Sequence, residues 1–176
     1  MLHGLLGLYW NAREQSLDDC ADKCLQTLLA MHEGGFGGFY QRGRSRKDAL
    51  RRAIDISPEG IRKLLMRGVN RRDDNHEIIA DLGFSMGLWS GRPDDEAFGL
   101  SIYCGCYSKW VGNNVTIDLP PEGPHSLDNS RGKAEILFDA LVALWKPEQA
   151  ILCNAEDLRW DDRVIPKNVP AFKRFG

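Results

Sequence analysis

Histidine, serine and cysteine are the residues from which a small chain builds a catalytic or metal centre, and here none is grouped for that purpose. His3, His32, His76 and His125 stand alone, without the H-x-x-x-H spacing that brings two imidazoles to one helix face. His76 follows Asp73 and Asp74, a set that would serve as a small acid–base or metal cluster. A loop of solvated charges explains the same residues with fewer assumptions. Gly83-Phe84-Ser85-Met86-Gly87 has the outline of a nucleophile elbow. Such an elbow needs a sharp strand-to-helix turn, whereas this stretch lies inside continuous apolar alternation, so Ser85 reads as an ordinary strand residue. The glycine run at Gly34, Gly35, Gly37 and Gly38 does not follow a predicted strand, as a phosphate cradle would, and no Walker or dinucleotide fingerprint is present. The chain therefore reads as a non-enzyme with no metal and no cofactor.

The five cysteines point the same way. Cys20 and Cys24 are four apart in a helical pattern, and Cys104 and Cys106 are two apart in a strand pattern. These are core spacings, not the paired C-x-x-C of a zinc site. With Cys153 the number is odd, which suits a reducing compartment and free buried thiols. The apolar start, Met1 to Trp10, lacks a basic n-region and a cleavage motif, and no stretch is long enough to span a membrane. A cytoplasmic protein with no membrane partner is expected.

Charge is the strongest signal. Arg42 to Arg72 holds eleven basic residues against Asp48, Asp55 and Glu59, a local balance of +8, while the rest carries −10 within a total of −2. That asymmetry suits steering toward a charged partner. Nucleic acid is the first partner to consider, but Tyr40 is the one aromatic nearby, and single-strand binders interleave aromatics with their cations. Nucleic-acid binding through Arg44, Arg46, Lys47, Arg71 and Arg72 is kept as the alternative reading.

The elements that must position these residues follow from periodicity. Leu5, Leu6, Leu8 and Tyr9 form a first strand ending near Trp10. Ser16 starts a helix with Asp18 and Asp19 in its first turn; Cys20, Cys24 and Leu28 make its apolar stripe. The run from Gly34 to Tyr40 reads as a flexible turn. Ser45 and Ser57 cap two further helices, the second with Pro58 at its first position. Gly68 to Glu77 is a polar loop. From Leu82 the period becomes two. Leu82 to Trp89, Phe98 to Tyr107 and Val115 to Leu119 form three strands with short turns, an antiparallel meander over about 82–119. A helix from about Ser130 to Trp145 ends at Pro147, and Gln149 to Asn154 is a last strand. The predicted class is α+β, one domain over 1–176, with an antiparallel sheet packed against helices on one face and a tail after about 154 as surface loop or edge strand. The other face would carry Ser85, Ser101, Tyr103, Tyr107 and Thr116, either as solvated sheet or as a recognition surface.

Several segments taken together resemble one family. They are Tyr9-Trp10 with Arg13-Glu14, Gly43-Arg44-Ser45-Arg46-Lys47-Asp48-Ala49, Asn70-Arg71-Arg72-Asp73-Asp74, Leu82-Gly83-Phe84-Ser85 running to Leu88-Trp89, and Leu100-Ser101-Ile102 with Cys104-Gly105. In order and spacing, over roughly residues 8–150, they resemble the immunity protein 52 family of bacterial polymorphic toxin systems. The resemblance implies a small cytosolic α+β protein, encoded beside a toxin, that binds and neutralises it. It further implies that the toxin is a restriction-endonuclease-like nuclease, often delivered by type VI secretion in competition between bacteria. No catalytic residue is implied.

A nuclease site binds phosphates and is electropositive, so acids are candidate partner-binding residues. They are Asp94, Asp95 and Glu96 in a turn, and Glu156, Asp157, Asp161 and Asp162 in the tail, where Trp160 would anchor the contact. Tyr103 and Tyr107 join them from the sheet. The basic surface would instead meet an acidic face of the toxin beside its catalytic centre.

Overall fold

A computed structural model describes residues 3–154 together with the backbone of 172–174. The strands are β1 (Gly4–Trp10), β2 (Tyr40–Gln41), β3 (Phe84–Trp89), β4 (Gly99–Cys104), β5 (Asn113–Leu119), β6 (Gln149–Asn154) and β7 (Phe172–Arg174). The helices are α1 (Leu17–Glu33), α2 (Arg46–Ala49), α3 (Pro58–Arg67) and α4 (Leu127–Trp145). The sheet order is β2-β3-β4-β5-β1-β6-β7, antiparallel throughout except that β7 runs parallel to β6. This is the expected α+β class, with the tail contributing an edge strand.

The period of two decides which side chains meet the helices. Leu6 lies opposite both Ile117 and Leu152, and Ile117 opposite Leu100, so these residues form one buried row. α4 covers β1 and β6, α3 covers β3, and α1 packs between α3 and α4. The aromatic centre of that layer is Trp145, stacked on Trp10 at 5.3 Å between ring centroids. Arg13 closes the end of α4: its guanidinium lies over the Trp10 ring and donates to the carbonyls of Trp145 (2.7 Å) and Lys146 (2.8 Å). Two of the carbonyls that a helix C-terminus leaves orphaned are satisfied this way.

The serine caps form as the sequence indicates. Ser16, Ser45 and Ser57 accept from the amides of Asp19, Asp48 and Gly60. Several details differ from the sequence reading. α4 begins at Leu127, not near Ser130. Ala80–Leu82 is a turn of 3-10 helix, so β3 starts at Phe84, not Leu82. β4 ends at Cys104, because Gly105 turns the chain with a φ of 70° that strands do not adopt. Finally, the glycine run is not a free turn. Phe36 and Phe39 are buried, packed edge-on against Phe98, so the loop is nailed into the core.

Candidate functional site

The residues that chemistry would need are placed elsewhere. Ser85 Oγ donates to the Gly68 carbonyl (2.9 Å), a contact that ties β3 to the end of α3. His76 sits exposed in the 68–79 loop with a φ of 59°, and its carbonyl accepts from Arg71 (3.1 Å). His125 is buried between Phe36 and Phe98, with Nε2 donating to the Gly35 carbonyl (2.9 Å). Burial is the first cause that lowers its pKa; Arg92 and Lys133 add to it, against the Gly35 bond and Glu96. The five thiols are buried and unbridged. Cys20 and Cys104 are both held above the ordinary thiol range: Cys20 by its contact with Cys104 and then by burial, Cys104 by its contact with Cys24 and by burial, which outweigh the lowering contact with Cys20. Such thiols are poor nucleophiles. Among the described residues no group of three histidine, cysteine or carboxylate side chains is placed to hold a metal ion.

What remains is surface, and the sheet organises it. On the face away from the helices, Ser85 lies opposite Tyr103 and Tyr103 opposite Asn114, while Gly87, Ser101, Thr116 and Gly7 form the next row. Tyr9 folds back over Gly7, its hydroxyl held above the ordinary phenol range by burial first and then by Asp118 and Cys153. Tyr103 stands 47% exposed beside this row of small residues.

Tyr107 is also exposed, but it lies beyond β4, in the 105–112 loop. That loop is tightly held. The Tyr107 and Ser108 amides both donate to the Asp81 carbonyl (3.0 Å each). The buried Asn113 side chain accepts from the Cys106 amide (2.8 Å) and donates to the carbonyls of Asn11 (2.9 Å) and Cys106 (3.0 Å). From this frame Trp110 projects, 83% exposed, with Lys109 over its ring at 4.7 Å. Sequence reasoning passed over Trp110 because it sits beside a Gly-Asn-Asn turn and outside any periodic pattern.

The acidic candidates divide. Asp94 and Asp95 are exposed in the β3–β4 turn, whereas Glu96 is half-buried and pairs with Arg92 at 3.8 Å. Glu156, Asp157, Trp160, Asp161 and Asp162 lie outside the described residues. Of the basic candidates, Arg44, Arg46 and Lys47 are exposed around α2, and Arg71 and Arg72 are exposed in the 68–79 loop. The Asp94–Asp95 turn joins the same end of β3 and β4 as the Trp89–Gly99 pair, while Tyr103 lies toward the opposite end of β4. The structure does not gather the acids and the tyrosines into one patch.

Among the described residues no helix is long and apolar enough to cross a membrane. No curated protein matches the chain by sequence. The family model for immunity protein 52 matches residues 5–172, nearly the whole chain. The chain belongs to the immunity protein 52 family.

Proposed function

From that membership we propose that the chain is a cytoplasmic immunity protein, without catalytic activity of its own, that binds and neutralises one cognate antibacterial toxin. The toxin would be a restriction-endonuclease-like nuclease delivered by type VI secretion. The family match over 5–172 carries this reading. The described surface supports it: exposed aromatics are held on a rigid sheet and a hydrogen-bonded loop, and pre-ordered anchors lower the entropic cost of docking. Two surfaces are candidates for the contact. One lies at either end of β4, with the exposed acids Asp94 and Asp95 at its start and, as a separate patch, Tyr103 and Tyr107 at its end; the other is the basic surface that includes Arg44, Arg46 and Lys47.

The test is co-purification with the toxin domain encoded beside this gene, scored by size-exclusion chromatography and a nuclease assay. A stable complex with nuclease activity lost is expected. A toxin that stays free and active in the presence of the chain would refute the reading. The exposed arginines favour one second reading, nucleic-acid binding, which predicts salt-dependent retention of an oligonucleotide by the chain alone.

A further inference from the structure

The surface built by residues 42–72 has the make-up of a protein-docking face. Three of its cations are paired: Arg52 with Asp48 (3.0 Å), Lys63 with Glu59 (3.4 Å), and Arg62 with Asp18 of α1. Arg44, Arg46, Lys47 and Arg67 are exposed and have no carboxylate partner among the described residues. Charge alone would describe any solvated face. Here three large aliphatic side chains are exposed among the cations: Leu50 just after α2, Ile56 just before α3, and Met66 on α3.

Between the chain following α2 and the outer side of α3 runs a groove. Ile54 and Leu64 supply its apolar lining, Lys63 and Arg67 line it along α3, and Gln41 lines it from β2. Asp55 is the single acid in it. Apolar side chains set among arginines are what protein interfaces select, because the aliphatics gain from leaving water and the guanidinium forks pair with carboxylates. A single-stranded nucleic acid would ask for stacking platforms instead. The nearest aromatic, Tyr40, is half-buried and set beside Trp89 at 6.5 Å between centroids.

We infer that this face docks a partner protein through an acidic surface of that partner. The inference rests on the immunity reading and names the chemistry of its contact. A surface acidic over its whole extent repels phosphates, so it lies outside the stretch that holds the backbone of a nuclease's substrate. The chain would then hold its toxin from beside the cleft, with the unpaired arginines steering the encounter.

The experiment measures association and dissociation rates with the toxin domain encoded beside this gene, at about 50 mM and about 300 mM salt. Arg44→Glu combined with Arg67→Glu should slow association by about tenfold or more at the lower salt, with the gap narrowing at the higher. Ile56→Asp and Met66→Asp should speed dissociation by about tenfold or more. Asp128→Lys, on the exposed first turn of α4, should leave both rates unchanged. All these positions are exposed, and circular dichroism melts will separate lost binding from lost folding. Wild-type rates in the first three variants would overturn the docking face while leaving the immunity function intact. A wild-type chain that fails to bind the toxin overturns both. Retention of an oligonucleotide, abolished by the arginine reversals, would assign the face to nucleic acid and overturn the inference.

Discussion

The Trp145 indole Nε1–H donates to Thr27 Oγ1 at 2.9 Å, in the dry contact between α4 and α1. Both side chains have zero exposure, so neither group reaches water if the other is lost. Thr27→Val keeps the shape and removes the acceptor. An orphaned buried donor costs about 1–3 kcal/mol. Urea denaturation should show that loss, and Thr27→Ser should recover most of it.

Asn113 makes three hydrogen bonds that fix where the 105–112 loop leaves the sheet. Asn113→Ala should cost about 2–4 kcal/mol, since the Asn11 carbonyl and the Cys106 amide lose this partner while the Cys106 carbonyl keeps only the Arg13 amide. Amide hydrogen exchange at Cys106 and in the following loop should accelerate more than exchange in α4. Uniform acceleration would mean that the side chain stabilises the whole fold without locally ordering this loop.

Two glycines should respond in opposite directions to the same change. A methyl group on Gly68 would collide with the Ser85 carbonyl oxygen, which is backbone and cannot step aside. Gly68→Ala should therefore lower stability by about 1–3 kcal/mol. Gly132 lies inside α4 with open space where its side chain would be. Gly132→Ala should raise stability by about 0.5–1 kcal/mol through helix propensity alone. Paired thermal melts decide both.

His125 should make the fold sensitive to mild acid. Its folded pKa is depressed, so between that value and the ordinary 6.5 the unfolded chain binds the extra proton. Stability is therefore complete above the unfolded pKa and falls as pH drops below it. His125→Gln keeps a donor for Gly35 without the titration. The melting temperature of wild type should fall between about pH 7.5 and about pH 5.5 by more than that of the variant. Equal falls would assign the acid sensitivity to other groups.

The thiols offer a simple check on the core. All five are buried, and Cys20 and Cys104 resist ionisation. A thiol-specific reagent should label none in the native protein and five per chain in denaturant.

The sequence was most readable where a local signal acts alone. Ser16, Ser45 and Ser57 each cap the third amide of a helix, and each is visible as a serine before an acid-bearing first turn. The start of α4 is less legible, at Leu127 rather than near Ser130, because Ser126 does not cap in that way: its hydroxyl donates back to the Gly123 carbonyl (3.0 Å). The strands showed through alternation, but β2 has two residues, too few for any period to register. Phe36 and Phe39 were misjudged because glycines around them look like slack, whereas Phe98, far along the chain, is what holds them. The candidate surfaces were legible as charge and as tyrosines. Trp110 was not, because exposure of a loop residue depends on contacts between Asp81, Asn113 and the loop itself, which no local pattern encodes.

The place of β1 in the sheet has a consequence for synthesis. Leu6 is made well before its two neighbours across the sheet, Ile117 and Leu152, which follow more than a hundred residues later. A growing chain leaves the ribosome with its first strand unpaired on both edges, and such late, long-range pairing slows folding. A chain cut short before Gln149 leaves β1 without one of its two neighbours. The centre of the sheet therefore closes only after β6 has been made.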